Sequence, residues 1–361
     1  MIPFLDLQKI NARYTEAYHQ KLDEVLHKGW FILGDAVLQF ESEFASLCGA
    51  RYAIGVGNGL DAITLLLRAY IQLGRLQEGD HIIVPANTYI ATILGIQQAG
   101  LVPVLVEPDP VSFTLCPLQT KRAITPQVKG IMVVHLYGQR ASMEALAALA
   151  EEHQLALFED AAQAHGISFF GSYCKTFSFY PGKNLGALGD AGAVVTDDAE
   201  VAAQVRLLRN YGSPEKYVHT LPGTNSRLDE LQAAFLRVRL PHLLAENEHR
   251  RQLAARYAKG INHPQIQLPQ VADPSLHAFH LYVIRTPKRE ALQAYLLANG
   301  IQTMIHYPIA PHKQAALQNS ATDSLPVTEQ LHREVLSLPI SPVLTFEEQQ
   351  VIMDCLNAFP G

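Results

Sequence analysis

From about residue 50 to residue 200, short apolar and often β-branched runs alternate with stretches whose apolar positions recur every three or four residues. The short runs fall at 52–56, 81–84, 102–106, 131–135, 156–159, 176–180 and 193–196. Most are apolar throughout instead of alternating with polar residues. Strands buried on both faces have that pattern, so the seven runs predict a mostly parallel sheet covered by helices. The intervening stretches 60–73, 90–99 and 142–153 predict helices, and in the last of these Met143, Leu146 and Leu149 share one face. The fold class is α/β.

Beyond residue 228 the pattern becomes one long helical stretch to residue 258, rich in Leu, Ala, Arg and Glu, with a break expected at Pro241. It predicts a bridge to a smaller C-terminal α+β domain, dividing the chain into 1–240 and 241–361. The second part carries a strand at 280–284, a helix at 288–299 closed by Gly300 as a C-cap glycine, and a final helix at 346–359.

Composition narrows the class. Of the 361 residues 48% are apolar and 17% charged, which supports a packed core and excludes a disordered chain. A net charge of -6 gives no electrostatic reason to seek nucleic acid or an anionic membrane. The four cysteines are scattered and form no C-x-x-C pair, so reduced thiols are expected, not a zinc site or a disulfide framework. Histidines form no metal-binding pattern, and no metal is expected. The N-terminus lacks the basic and apolar blocks of a signal peptide, and no apolar run is long enough to span a bilayer; the expectation is a cytoplasmic protein.

Four segments carry candidate chemistry. Gly55, Gly57, Asn58 and Gly59 lie in a turn between a strand and a helix, where a glycine-rich backbone and free N–H groups receive an anion. A dinucleotide would want glycine at position 60, which is Leu, and an acid closing the second strand, which ends in Pro85. A simple phosphate or a plain tight turn fits better. The run ending in Glu159 and Asp160 places acids at the carboxyl edge of the sheet, where a carboxylate would keep a pyridine nitrogen protonated; alternatively Asp160 caps a following helix. Lys183 lies among Phe, Tyr, Pro, Leu and Gly. Desolvation there would favour its neutral, nucleophilic form, against the alternative of a solvated loop lysine. Ser178 is placed to donate to a phosphate. Asn225 and Ser226 precede Asp229 and Glu230 as a capped helix start. Tyr89 could stack on a flat cofactor and His306 and Tyr307 could present polar tips, or all three could simply pack.

Taken in order, these segments resemble the DegT/DnrJ/EryC1/StrS family of sugar aminotransferases, of the type I, aspartate aminotransferase-like pyridoxal-phosphate (PLP) fold. The resemblance covers essentially the whole chain. It is carried by the stretches around Gly57-Asn58-Gly59, Tyr89, His135, Glu159-Asp160 with Gln163, Ser178 to Lys183, and Asn225. It implies that Lys183 bonds the cofactor aldehyde, Asp160 pairs with the pyridine nitrogen, and Gln163 lies beside the phenolic oxygen. Tyr89 would stack on the ring; Gly57, Asn58 or Gly59, and Ser178 would hold the phosphate, joined by Asn225 from a second subunit. That last role implies a homodimer with shared active sites. Within the family the chain looks most like the branch making 3-amino-3,6-dideoxyhexoses (Fuc3N or Qui3N) on dTDP, with L-glutamate as donor, for O-antigen, S-layer or antibiotic sugars. Tyr180, His306 and Tyr307 would then touch the sugar or nucleotide, and Lys216 would reach across from the partner. Alternatives are amination at C4 of a 4-keto sugar, the dehydrating relatives that replace the lysine by histidine, and a non-enzymatic regulator on the same fold. One departure stands out: between Gly166 and Phe177 the family usually carries a longer segment with an additional Gly-Asp, and its loss predicts a trimmed hairpin near the site entrance.

Overall fold

The computed structural model describes residues 1–317 and 324–361. The seven apolar runs become β1 (Tyr52–Val56), β2 (His81–Pro85), β3 (Val102–Val106), β4 (Val128–Val134), β5 (Ala156–Asp160), β6 (Cys174–Ser178) and β7 (Gly192–Thr196). They form one sheet in the order β1-β7-β6-β5-β4-β2-β3. All neighbouring pairs are parallel except those of β7, which runs antiparallel to both β1 and β6. The expected mostly parallel seven-stranded sheet is therefore present.

Two strands of this sheet differ from the sequence pattern by more than one residue. β4 begins at Val128, because Lys129 and Gly130 dilute the apolar signal although Val128 and Gly130 pair with β2; a side chain at Gly130 would collide with Ile82 Cδ1 at 2.9 Å. β6 begins at Cys174 and ends at Ser178, two residues early. Its Lys175 looks like a solvent position but is buried against Glu159, and Tyr180 has already left the strand for a turn.

Three helices precede the sheet: α1 (Leu7–Ala12), α2 (Thr15–Lys28) and α3 (Asp35–Leu47). The linkers are α4 (Gly59–Gln72), α5 (Ile90–Gln98), α6 (Pro117–Ala123) and α7 (Met143–Glu152), and α8 (Ala199–Leu208) follows β7. Alternate strand residues serve two cores. Ile82, Val84, Met132 and Phe158 pack with α4 and α5, while Ile83, Ile131, Val133 and Leu157 pack with α7 on the other side. Both faces are dry, which is why the strands read as continuous apolar runs.

The long helical stretch is two helices, α9 (Glu230–Arg239) and α10 (Leu243–Gly260), joined by a 3-10 turn at Leu240–His242 that contains Pro241. Proline removes a helical donor and crowds the preceding turn, so the break falls there. The C-terminal residues add β8 (Tyr282–Arg285), α11 (Arg289–Ala298), α12 (Pro326–Glu334), β9 (Val335–Leu338) and α13 (Phe346–Asn357), with β8 and β9 an antiparallel pair. Gly300 ends α11 at φ 77°, donating to Leu297 while Ile301 donates to Leu296. That reciprocal pair satisfies two orphan carbonyls and suits glycine. The four cysteines are unpaired. Among the described residues no helix is long and apolar enough to cross a membrane and no cluster of metal-ligating side chains occurs.

Candidate active site

The carboxyl ends of the parallel strands open onto a cavity of about 870 Å³, within the usual size range of small-molecule sites. β5 brings two acids to that edge, and strand alternation sends them to opposite faces. Asp160 faces the cavity. It accepts from the Thr92 hydroxyl at 2.8 Å and from the Ala162 N–H at 3.1 Å. A turn, not a helix, follows it, so the capping alternative falls. Burial pushes its carboxyl up from the usual range, opposed by those two hydrogen bonds and by the charges of Lys183 and His135.

Glu159 faces away from the cavity. It meets His135 Nε2 at 2.7 Å and Lys175 Nζ at 3.2 Å. The Ala141 N–H donates to His135 Nδ1 at 3.2 Å, so the ring proton sits on Nε2 and goes to Glu159.

Lys183 ends a tight turn after β6, its N–H donating to Tyr180 O at 2.8 Å. It keeps some accessible surface only where it faces the cavity. Packed protein around it lowers its pKa to about 8, against the raising effect of Asp160.

The glycine turn lies at the N-terminus of α4. Asn58 caps that helix, accepting from the Asp61 N–H at 2.8 Å. The Gly57 N–H donates to Ser226 Oγ at 3.0 Å, and Ser226 in turn donates to Asp61 at 2.6 Å. A Cβ on Gly59 would lie 2.6 Å from Ser178 Cβ, so glycine is required for strand β6 and the turn to close on one another. Ser226 is thus a strut of the turn and not a cap of α9, whose cap residue is Asp229.

Gln163 bridges two segments. Its Oε1 accepts from the Tyr137 N–H at 2.5 Å and its Nε2 donates to the Tyr307 hydroxyl at 3.1 Å. The Tyr137 hydroxyl donates to His306 O at 2.6 Å, and the Tyr89 ring lies 5.1 Å from that of Tyr307. His306 meets Ser337 Oγ through Nδ1 at 2.9 Å, and burial lowers its pKa to about 4.

The cavity gathers Asn58, Gly59, Tyr89, Asp160, Gln163, Ser178, Tyr180, Lys183, His306 and Tyr307. Gly57 lies one residue behind the wall. Asn225 and Lys216 lie outside it: Asn225 is exposed, and Lys216 sits with its ammonium 5.2 Å from the Tyr217 ring. Between Gly166 and the start of β6 at Cys174 there is only a bend at Ile167 and a turn at Gly171 and Ser172, with no hairpin. Sequence reading missed Thr92, His280 and Arg250, all cavity residues. Only Thr92 left a trace, four residues from Thr88 and hydrogen-bonded to it at 2.8 Å.

These walls fit a flat heteroaromatic cation with a phosphate tail. A buried acid faces an amine of lowered pKa across one cavity, a half-exposed tyrosine ring offers a stacking face, and the glycine turn leaves room where a Cβ would intrude. Such a group is pyridoxal phosphate.

Residues 13–357 match the model of the DegT/DnrJ/EryC1/StrS aminotransferase family. The chain is 51% identical to a dTDP-3-amino-3,6-dideoxy-alpha-D-galactopyranose transaminase of Aneurinibacillus thermoaerophilus, over 99% of each chain. Among solved structures it resembles S. venezuelae DesV in complex with a ketimine intermediate, with a TM-score of 0.95, 45% identity and coverage of 99% of this chain and 97% of that one. It also resembles NtdA from Bacillus subtilis with bound cofactor PMP, with a TM-score of 0.92, 35% identity and coverage of 98% and 84%.

Proposed function

Because the chain belongs to the DegT/DnrJ/EryC1/StrS aminotransferase family, we propose that it moves an amino group from L-glutamate to C3 of a dTDP-linked 3-keto-6-deoxyhexose, giving a dTDP-3-amino-3,6-dideoxyhexose. It is a PLP-dependent nucleotide-sugar aminotransferase of the type I fold. The full-length likeness to a transaminase named for a 3-amino-3,6-dideoxygalactose product supports C3 and favours the galacto form. The observation that carries the reading is the meeting of Lys183, Asp160 and the glycine turn in one cavity. A regulator on this fold would have no need to keep that set together.

Pyridoxal phosphate supplies an aldehyde that captures amines and a protonated ring that draws electrons from the donor's α-carbon. The residues divide the remaining work. Lys183, half neutral at about pH 8 because it is desolvated, would bond the aldehyde between turnovers. When displaced, its amine would be the general base that moves the donor's α-proton. Asp160 holds the ring nitrogen protonated, its carboxylate oriented by Thr92 and Ala162. Tyr89 would cover one ring face. Gln163 would face the phenolic oxygen, while Asn58, Gly59 and Ser178 would bind the phosphate at the α4 N-terminus, supported from behind by Gly57, whose N–H is taken by Ser226. Tyr180, His306 and Tyr307 line the mouth that receives the sugar and nucleotide.

Asn225 and Lys216 serve the site of a second copy, making the working unit a homodimer. Their exposure outside their own cavity supports this, as do the exposed Trp30, Phe31 and Tyr217. The decisive experiment incubates the PLP-loaded protein with L-glutamate and a dTDP-3-keto-6-deoxyhexose and locates the new amine by NMR. Amination at C3 is expected; amination at C4, or none, defeats the reading. Light scattering should give twice the chain mass, and a monomer would defeat the shared-site reading.

A further inference from the structure

None of the roles assigned above uses a second cation in the cavity, yet one is there. Arg250 lies on α10, is 3% exposed, and lines the cavity together with Lys183 and His280. Its Nη1 donates to Ile340 O at 2.8 Å and more weakly to Phe279 O at 3.4 Å. Its Nε is buried without a partner. Among the described residues no carboxylate lies within ion-pair distance of it. The acid one turn earlier on the helix, Glu246, is already committed: Arg13 Nη1 sits at 2.8 Å, the Tyr14 hydroxyl at 2.7 Å and Arg239 Nη2 at 3.5 Å.

A buried guanidinium without a contacting anion is costly, and two carbonyl contacts through one nitrogen leave most of its donor fork unused. Burial pulls its pKa down to about 10, against the raising effect of the more distant Glu246. The imidazole of His280 feels the charges of both Lys183 and Arg250, so the two cations act on one shared neighbour near the reacting amine. A planar fork of this kind is complementary to a carboxylate. Of the two substrates, only the amino acid carries a carboxylate one carbon from its reacting nitrogen. The keto sugar's negative charge resides on its pyrophosphate, remote from the ring carbon that accepts nitrogen.

Resting on the aminotransferase reading, we propose that Arg250 binds a carboxylate of the amino donor and so selects amino acids over simple amines. The test titrates PLP-loaded protein with glutarate, a dicarboxylate that cannot react, following the cofactor's absorbance, and then with its dimethyl ester. Glutarate should bind, and the ester should not. In Arg250→Gln the glutarate Kd and the L-glutamate KM should rise about tenfold or more, the loss of a charge-assisted contact. Arg250→Lys, which keeps the charge but loses the fork, should fall between. The half-reaction of the pyridoxamine-loaded protein with the keto sugar should be far less affected. Glutarate affinity unchanged in either folded variant overturns the inference, as does an equal loss in both half-reactions, which marks a structural or pyrophosphate-binding arginine. Equal binding of acid and ester by the unaltered protein overturns it even if both variants fail to fold. A wild-type protein that reacts with no amino donor sinks the aminotransferase reading itself.

Discussion

Two neighbouring acids on β5 meet opposite fates on the two sides of the sheet edge. Behind the edge, Glu159 is closed off in the interior by the Lys175 ammonium and the His135 ring. In front, Asp160 has a hydroxyl and a backbone N–H but no cation at contact distance, with Lys183 and His135 acting on it from further off. The same contrast recurs on α10, where Glu246 is neutralised by two arginines and a tyrosine while Arg250 is not. A charge balanced by its own chain holds structure together. A buried charge left half answered marks the place where a ligand completes the balance.

The largest test of that contrast is Lys183→Ala, which should abolish turnover and the bound cofactor's visible absorbance; normal turnover would remove the central assignment. Asp160→Asn should come next, costing on the order of 4 kcal/mol in kcat/KM if electrostatic preorganisation dominates, measured by steady-state kinetics. On the structural side, Glu159→Gln should strand the Lys175 cation and cost about 3–5 kcal/mol of stability, read by thermal unfolding, while the folded fraction keeps its activity. A stable but inactive Glu159→Gln protein would reverse the proposed division of labour.

The pH dependence follows from Lys183. Its pKa is depressed to about 8, and only the neutral amine attacks an aldehyde. Capture of pyridoxal phosphate by the cofactor-free protein should therefore rise about tenfold per pH unit up to about 8 and level off above it. A plateau only near the ordinary lysine pKa would mean that the cavity does not desolvate this amine. The smallest effect belongs to Thr92→Val, which removes one hydrogen bond to Asp160 and should slow turnover about tenfold.

Much of this was legible in the chain because it is local. The strand runs were readable from apolarity alone, and the glycine turn and Lys183 stand out by composition. What escaped depends on tertiary packing. α1 and α2 bury few residues, only Ile10 in α1 and Tyr18 and Val25 in α2, so their pattern is weak. Lys175 reads as solvated until Glu159 is placed opposite it. Arg250 sits in a run of good helix formers where an arginine looks like surface, and only the fold brings it into the cavity wall. The adjacent acids were visible as a pair, but nothing in the sequence says which of them faces the ligand until the strand's register is known.

Gln163 has a consequence of its own. Its carbonyl oxygen is taken by the Tyr137 N–H and one amide hydrogen by the Tyr307 hydroxyl, so flipping the amide would set donor against donor. One amide hydrogen remains uncommitted. Whatever oxygen it meets has to receive a proton's attraction without offering one back, which makes the side chain a reader of ionisation state: it favours a phenolate over a phenol.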